Sequence, residues 1–588
     1  DGVMTDEYTE QEQLDAVEVI AWIARQPWCT GRVGMMGISW GGFNALQVAA
    51  RRPPELGAII TLCASDDRYT DDAHYMGGCL LNENLQWGSI LMAYNALPPD
   101  PDIVGSSWLD LWIKRLDAAT PFPALWMQHP TRDTFWKQGS VNEDYGAIQC
   151  PVYAIGGWAD GYSNAVPRLL EGLEGPKKGL IGPWVHAFPQ TAVPGPRIGF
   201  LQEALRWWDH WLKDVDTDIM REPLLRIWMQ NSVPPAPQYS ERPGRWITEE
   251  RWPSPNVSMR TLYLSPSRLD DSPPEDREVL PLASPQITGM VSGEWCAFGA
   301  EGEMPLDQRP DDGRSLVFDG PPLAQNIEIL GAPVVELEIE SDTEIAMLAV
   351  RLNEVDLGGA STRVTYGLLN LTHRSDHEHP LPMPSGNKVP VKIQLNDIAH
   401  VFSAGHRIRL AVSTAYWPIA WPPPKPVLVR LHLGRSILKL PVRAAVEDPP
   451  VSFPPPEIAH STIATPLRAL PFQRTVERDL TSDEVVYTLQ TSEFDGHATG
   501  RLPDIDMVLG HQIQKRHRIC PTDPLSARSE MTQWASLERG DWRIRIECRT
   551  EVRSEPDTLH FTAELIAKEQ GEIVRRLVWD EHIPRRGF

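Results

Sequence analysis

No stretch of the chain approaches the ~20 consecutive apolar residues that a membrane-spanning helix needs, so no membrane partner is expected. Cysteine is sparse and scattered. Cys29, Cys63, Cys79, Cys150, Cys296, Cys520 and Cys548 make seven, with no Cys-x-x-Cys pair. An odd count without paired spacing argues for reduced thiols, against a disulfide framework or a zinc site, and fits a cytoplasmic chain. Positive charge is also short. The 55 Lys and Arg against 79 Asp and Glu leave a net charge of −24. Such a chain repels a phosphate backbone, so nucleic acid is not an expected partner. The acidity serves solubility first and mildly favours a cationic ligand. An initiating methionine is absent as well: the sequence opens Asp1-Gly2-Val3, which leaves a targeting segment open.

What is present is ordinary globular material. The 588 residues suffice for roughly three to five domains at about 100–200 residues each. Hydrophobic residues are 41% and charged residues 23%. Proline, at 55, points to many turns and a large β component. Thr9-Glu10-Gln11-Glu12 reads as a capping box. Leu14, Val17, Ile20, Ala21 and Ala24 then recur at helical spacing until Pro27. A short apolar run, Arg32–Gly37, leads through Ile38-Ser39-Trp40-Gly41-Gly42 into a second helix stopped by Pro53-Pro54. Ala58–Cys63 is again apolar and of strand length. Helix–strand–turn–helix–strand is the alternation of a parallel α/β sheet.

Residues 69–145 break that alternation. They carry helical runs, including a Trp108/Leu111/Trp112/Leu116 stripe, with Trp87, Trp126 and Trp136 nearby. The α/β pattern resumes at Pro151–Trp158, with helices near Asn164–Leu173 and Leu201–Lys213. From about Pro223 short alternating runs separated by Gly, Pro, Asn and Asp predict a sandwich or barrel. The Glu447–Glu457 segment, with five prolines, reads as a linker. Beyond it Glu484–Gln490, Trp542–Cys548 and Leu559–Ala567 read as antiparallel strands. The expected division is therefore an α/β domain in two pieces (1–68 and 146–216), a helical cap (69–145), a β-sandwich (217–445) and a C-terminal β-rich extension (446–588).

Gly37-Ile38-Ser39-Trp40-Gly41 matches G-x-S-x-G between a strand and a helix, the setting in which a sharp turn exposes a serine hydroxyl. The backbone N–H of Trp40 would face a developing oxyanion at the helix N-terminus. A serine needs a base oriented by a carboxylate, in the chain order Ser, Asp or Glu, His. Asp160 follows the apolar run ending at Trp158, and His186 follows the next one, in Gly182-Pro183-Trp184-Val185-His186. Both fall at the carboxyl ends of predicted parallel strands, where open α/β sheets place their ligands. Of the sixteen histidines, His129, His210, His373 and His406 read as surface or structural. Asp66 or Asp67 is the fallback acid.

Gly-Ile-Ser-Trp-Gly-Gly, Gly-Gly-Trp-x-Asp-Gly-Tyr and Gly-Pro-Trp-x-His together resemble the CocE/NonD (cocaine-esterase-like) serine hydrolases. These are related to the Xaa-Pro dipeptidyl peptidases of family S15, the glutaryl acylases and the α-amino acid ester hydrolases. Residues 326–372 and Gly405–Ser413 resemble that family's jelly-roll domain, and the likeness covers roughly residues 1–445. The resemblance implies an α/β-hydrolase fold with an inserted cap, followed by a jelly-roll (galactose-binding-like) sandwich. It implies Ser39 as nucleophile, Asp160 as orienting acid and His186 as base, with no metal or organic cofactor. Relatives place several strands before the elbow, one stretch of which carries an oxyanion-hole tyrosine. Only 38 residues precede Ser39 here, so those opening strands are expected to be missing.

Carboxylates at the start of the cap, Asp71 and Asp72, are candidates for a substrate ammonium group, and Trp158 is a candidate pocket residue. Helix N-terminal acids favoured by the dipole are the plainer account of both aspartates. The expected partner is a small acyl ester, amide or short peptide, hydrolysed through an acyl-enzyme. Esterase, dipeptidyl peptidase and acylase stay open, because fold does not set substrate. The alternative from another class is a catalytically impaired chain whose sandwich binds a carbohydrate or other ligand. A sandwich that only buttresses the catalytic domain or mediates homo-oligomerisation is a third.

Overall fold

The computed structural model describes residues 2–70, 72–275, 278–459, 465–491 and 497–587. Thr9 opens helix α1 (Glu10–Ala24), and its side chain accepts the Glu12 N–H at 3.4 Å. The Glu12 carboxylate turns away from the cap. It accepts hydrogen bonds from Trp40 Nε1 (2.6 Å) and Asn44 Nδ2 (2.8 Å), tying α1 to the next helix. The apolar stripe is only partly used: Ile20 is buried, whereas Leu14 remains 41% exposed.

Strand β1 (Val33–Ile38), helix α2 (Trp40–Ala50) and strand β2 (Leu56–Leu62) follow, with β1 and β2 parallel and Ile38 opposite Leu62. The chain then leaves the sheet for helices α3 (Asn82–Asn95), α4 (Trp108–Asp117) and α5 (Phe122–Met127). It returns through β3 (Val152–Gly157), α6 (Ala165–Gly172), β4 (Lys177–Gly182), α7 (Phe200–Lys213), β5 (Leu225–Asn231) and β6 (Gly244–Glu249). The strands lie side by side in chain order. The first five are parallel, and β6 is antiparallel to β5. Leu46 and Val48 of α2 and Leu169 and Leu170 of α6 cover one face, over Ile59, Val152 and Ile181. Ala204 and Trp207 of α7 cover the other, over Ile60, Tyr153 and Leu180. Burial on both faces is what a parallel sheet requires.

The expected boundary at 216/217 does not coincide with a break in this sheet. Strand β5 lies beyond it and pairs parallel to β4. Its run reads equally well as a buried parallel strand or a sandwich strand, because both are short and apolar. The sheet then continues into the next region, since Ile398–Phe402 pairs parallel to the end of β5 and antiparallel to Ile327–Gly331.

Between Val257 and Arg443 most strand pairs are antiparallel, and eight of the strands form two sets. Val257–Ser265, Val429–Arg443, Val334–Ser341 and Val389–Gln394 are successive neighbours. Leu316–Asp319, Arg407–Ser413, Met347–Val355 and Ser361–Asn370 form the second set. Leu262, Leu337, Ile339 and Leu438 from the first meet Leu348, Val350, Leu410 and Val412 from the second in one apolar core.

After the proline-rich segment a separate antiparallel sheet forms from strands between Thr465 and Pro584. Its long members are Met507–Cys520, Asp523–Arg539, Trp542–Ser554, Thr558–Glu569 and Glu572–Pro584. Alternate residues, such as Ile544, Ile546, Cys548 and Val552, are buried. That inner face packs on the helical insert: Leu85, Leu91 and Met92 of α3 share a core with Tyr487, Ile544, Ile546 and Phe561. Ser89 Oγ meets Thr550 Oγ1 at 2.5 Å, and Ser529 Oγ donates to Asn82 Oδ1 at 2.6 Å.

Candidate active site

Strand β1 ends at Ile38 and α2 begins at Trp40, so Ser39 alone turns the chain. Its backbone sits at φ 56°, ψ −124°, in the left-handed region that a non-glycine residue occupies only when its surroundings impose it. The surroundings are visible. Ser39 N–H donates to the Leu62 carbonyl at 3.0 Å, and Phe43 N–H donates to the Ser39 carbonyl at 2.9 Å. A Cβ on Gly37 would lie 2.5 Å from the Gly41 Cα, and one on Gly42 would lie 2.7 Å from the Leu62 oxygen. A Cβ on Gly41 would meet nothing within 4 Å. The close approaches therefore demand glycine at 37 and 42. Gly41, the last residue of the motif, serves as the backbone against which Gly37 packs. Although Ser39 is the N-cap residue of α2, its hydroxyl does not cap the helix. The first-turn N–H groups, Trp40 included, have no intrahelical partner and carry the positive end of the dipole. The Trp40 ring is held by Glu12 and packs on Tyr8 (5.2 Å between centroids) and Trp87 (6.2 Å).

Asp160 and His186 come together. His186 Nδ1 lies 2.9 Å from Asp160 Oδ1, and both side chains are buried. They leave the carboxyl ends of the adjacent strands β3 and β4. Trp158 N–H bonds to the Gly182 carbonyl and Ala159 N–H to the Trp184 carbonyl, each at 3.0 Å, so the two loops stay in register beyond the sheet. The approach is tight, for a Cβ on Gly157 would lie 2.1 Å from the Trp184 oxygen. Aromatic contacts link the elbow to the histidine: Tyr8 stacks on Phe43 (4.6 Å), Phe43 meets Tyr162 (5.6 Å), and Tyr162 meets His186 (5.7 Å). The fallback acids are engaged elsewhere. Asp66 pairs with Arg168 and accepts from Tyr145, while Asp67 faces Arg132 and accepts from Thr70 and Asn142.

A loop from the β-rich region covers this pair. His186 N–H donates to the Ala297 carbonyl at 2.9 Å, and Phe298 packs edge-on against the imidazole at 5.2 Å. Cys296 Sγ lies 3.8 Å from Asp160 Oδ1. Burial, then the Asp160 charge, pushes the Cys296 and Cys63 thiols well above their ordinary range, so both stay protonated beside the carboxylate. The same loop carries Glu294, which accepts from Tyr487 and from Lys515 Nζ (3.0 Å), both on the C-terminal sheet. Burial opposes the charge on Glu294, but Lys515 and Arg474 outweigh it and hold the carboxyl at about 2. Glu303 Oε2 accepts the N–H groups of Phe298, Gly299 and Ala300 at 2.8, 2.7 and 2.8 Å, which closes the loop on itself. Burial pushes Glu83, at the start of α3, up to about 7, with Lys515 opposing. None of these loop residues was singled out from the sequence. The one visible sign is a glycine-flanked segment, Gly293–Gly302, holding Trp, Cys and Glu inside a strand-patterned region.

The substrate candidates separate. Trp158 donates from Nε1 to the Trp228 carbonyl at 2.9 Å and lines a cavity of about 130 Å³ with Asp160, Trp295, Tyr239 and Arg242. Asp71 lies outside the described residues. Asp72 is buried and is not part of that cavity's wall. It belongs to a buried group in which His74 Nε2 lies 2.8 Å from Glu7 Oε1, Arg68 Nη2 lies 3.3 Å from the same oxygen, and Asp72 Oδ2 stands 4.0 Å from His74. Burial pushes the Asp72 carboxyl up to about 6, with His74 opposing and Glu7 adding.

Comparison with known proteins bears on the class. Residues 1–188 match the model for X-Pro dipeptidyl-peptidase (S15 family), and residues 217–450 match that for the X-Pro dipeptidyl-peptidase C-terminal non-catalytic domain. A putative serine esterase of Mycobacterium bovis is 26% identical over 497 residues, 70% of this chain and 76% of that protein. The cocaine esterase of a Rhodococcus species is 24% identical over 456 residues, 69% and 77% of the two chains. The crystal structure of a CocE/NonD family hydrolase from Staphylococcus aureus superposes with a TM-score of 0.58 at 18% identity, covering 75% of this chain and 77% of that one. Fold and matches together define a serine hydrolase. More narrowly, the chain matches the X-Pro dipeptidyl-peptidase models over both regions and resembles the CocE/NonD hydrolases. No helix among the described residues is long and apolar enough to cross a membrane.

Proposed function

We propose that the chain hydrolyses acyl ester or amide bonds of small molecules or short peptides through a Ser39–His186–Asp160 triad. The observation that carries this reading is the 2.9 Å hydrogen bond between His186 and Asp160 at the carboxyl ends of adjacent parallel strands, with Ser39 on the strained turn that ends β1. Asp160 fixes the imidazole by accepting from Nδ1, which leaves Nε2 to take the Ser39 proton. The alkoxide attacks the carbonyl carbon, and the oxyanion faces the Trp40 N–H at the start of α2. His186 returns the proton to the leaving group, and water releases the acyl group by the same path. Trp158, on the wall of the 130 Å³ cavity beside Asp160, is the proposed substrate-facing residue; Ser39 and His186 do not line that cavity. The family likeness supports reading the region after β6 as a jelly-roll sandwich, with residues 69–145 as a cap on the catalytic part and 446–588 as an extension. By strand pairing the catalytic sheet takes in β5 and β6.

The test is covalent labelling with a fluorophosphonate probe, read by intact mass. One adduct is expected on the chain, with none on Ser39→Ala. A folded chain that takes no adduct, or an adduct that survives Ser39→Ala, overturns the triad. Asp72 supports a narrower reading. Its carboxyl stands in a buried charged group with Glu7, His74 and Arg68, and its Oδ2 has no hydrogen-bond partner there, so it is the proposed partner for a substrate ammonium. Asp72→Asn should raise KM for amine-bearing esters and leave uncharged esters unchanged; an equal rise for both removes that role.

A further inference from the structure

The C-terminal sheet carries a second cluster of metal-ligating side chains, remote in sequence from the triad. His560 and His582 are directly opposite one another on the last two strands, Thr558–Glu569 and Glu572–Pro584. Their rings stack with centroids 4.1 Å apart and planes 11° from parallel. Glu555, in the turn before the first of these strands, reaches both. Its Oε2 lies 3.1 Å from His582 Nδ1, and its Oε1 lies 3.8 Å from His560 Nδ1. One nitrogen from each imidazole and one oxygen of the carboxylate all fall within 4.8 Å of one another.

Two features separate this group from an incidental surface cluster. First, the His560 side chain is 9% exposed, and its Nδ1, facing Glu555, has no hydrogen-bond partner. A buried ring nitrogen left unsatisfied is unfavourable unless something binds it. Second, the other nitrogen of the same ring, Nε2, is 2.6 Å from Asp580 Oδ1. A carboxylate taking the N–H on one side fixes the tautomer and turns the lone pair of Nδ1 toward Glu555. This is the outer-sphere arrangement that orients metal-bound histidines. The remaining neighbours are compatible with a cation. Thr558 Oγ1 donates to Glu555 Oε2 at 2.6 Å, and the half-exposed Arg553 reaches Glu555 Oε1 at 3.5 Å.

We infer that Glu555, His560 and His582 form a Zn²⁺ site on the C-terminal sheet, bound through both Nδ1 atoms and the Glu555 carboxylate with water in the fourth position. Two ligands each ~2.0–2.1 Å from a tetrahedral zinc stand about 3.3 Å apart. Glu555 offers Oε2 to His582 at 3.1 Å and Oε1 to His560 at 3.8 Å, and one ligand atom from each residue lies within 4.8 Å of the others, so the half-exposed His582 ring must rotate out of its stack on His560 to close the set on one ion. A two-imidazole, one-carboxylate set suits a borderline divalent ion over Mg²⁺ or Ca²⁺. The ion would pin the turn at Glu555 to the last strand. The end of that strand docks on the sandwich, where Arg585 donates to the Pro422 carbonyl (2.5 Å) and Asn370 donates to the Gly587 carbonyl (2.6 Å). Zinc here therefore stabilises the seat of the C-terminal sheet.

The experiment uses the full, untagged chain after chelator dialysis. It is titrated with Co²⁺ followed by visible absorption, then with Zn²⁺ in competition and by thermal melting. One equivalent of tetrahedral Co²⁺, displaced by Zn²⁺, and a zinc-dependent rise in Tm are expected. His582→Asn, at a half-exposed position, should abolish both and leave the Tm in chelator unchanged. Asp580→Asn should weaken binding about 10–100-fold. Absence of a stoichiometric ion overturns the site. So does binding that survives His582→Asn but is lost in His186→Asn, which would move the ion to the Cys63, Asp160 and His186 group.

Discussion

At the scale of single residues, the elbow illustrates which features a motif encodes. The place of Ser39 on the turn from β1 to α2 was legible because a hydroxyl flanked by glycines between an apolar run and a helical one fits few local structures besides such a turn. The role of each glycine was not legible, since space around a Cβ depends on Leu62, Ala64 and Gly41, which only the fold brings near. The distinction makes a prediction. Gly37→Ala and Gly42→Ala should each destabilise the chain by about 1–3 kcal/mol, the usual penalty for overpacking a site that cannot relax. Gly41→Ala, within α2 and in open space, should fold as well as the parent or gain a few tenths of a kcal/mol from helix propensity. Urea unfolding with fluorophosphonate labelling checks both, and a Gly41→Ala that loses as much as Gly37→Ala refutes the steric account. Asp160 and His186 were legible for the same reason as Ser39, because each stands just past an apolar run. Cys296, Phe298 and Glu294 were not, because their partners lie more than 100 residues away in the chain.

At the scale of elements, the loop over His186 hangs on a buried ion pair supplied by the C-terminal sheet. Lys515 is 4% exposed and Glu294 12%, with Nζ and Oε2 at 3.0 Å. Removing one partner leaves a buried charge uncompensated, which costs about 3–5 kcal/mol. Lys515→Met should therefore lower stability by about that much, and Lys515→Met with Glu294→Gln should recover part of it; equal unfolding midpoints for single and double variants contradict the coupling. The next inward strand position adds a pH effect. Burial, reinforced by Lys515, holds His517 down at about 3, against an ordinary value of about 6.5. The unfolded chain thus binds a proton that the folded chain refuses. Stability contributed by the neutral histidine is complete above 6.5 and is lost as pH falls from 6.5 toward 3, by at most about 1.4 kcal/mol per pH unit. His517→Gln should flatten the acid limb of the stability–pH curve over that window, measured by urea unfolding at each pH. The element types themselves were readable from period: α6 and α7 stand within a residue or so of their expected ends. Strand β5 falls on the other side of the expected boundary because pairing partner, not period, decides which sheet a strand joins.

At the scale of the whole molecule, the sequence showed three textures, an interrupted α/β run, a strand-rich middle and a strand-rich end, and these match the order of architecture in the chain. It could not show what the last sheet rests on, since its inner face alternates like any half-buried sheet. The structure places that face on α3, where Leu85, Leu91 and Met92 share one core with Tyr487, Leu489, Ile546 and Phe561. Ser89, Asn82 and Asp100 add polar contacts to Thr550, Ser529 and Arg539 across the same surface. A chain cut at 445 would expose all of this, including the apolar side of α3, to water. At roughly 25 cal/mol per Å² of apolar surface, uncovering even a few hundred Å² forfeits several kcal/mol, comparable with the whole stability of a domain. The 1–445 chain should therefore be insoluble or bind the dye ANS strongly. It should also lose fluorophosphonate labelling at Ser39, because the Glu294 anchor of the loop over His186 goes with the sheet. The comparison is made on purified 1–445 and 1–588 at equal concentration, by sedimentation and by labelling rate. A soluble 1–445 monomer that labels as fast as the full chain would show that the extension is an independent module and that the loop holds its place without Lys515.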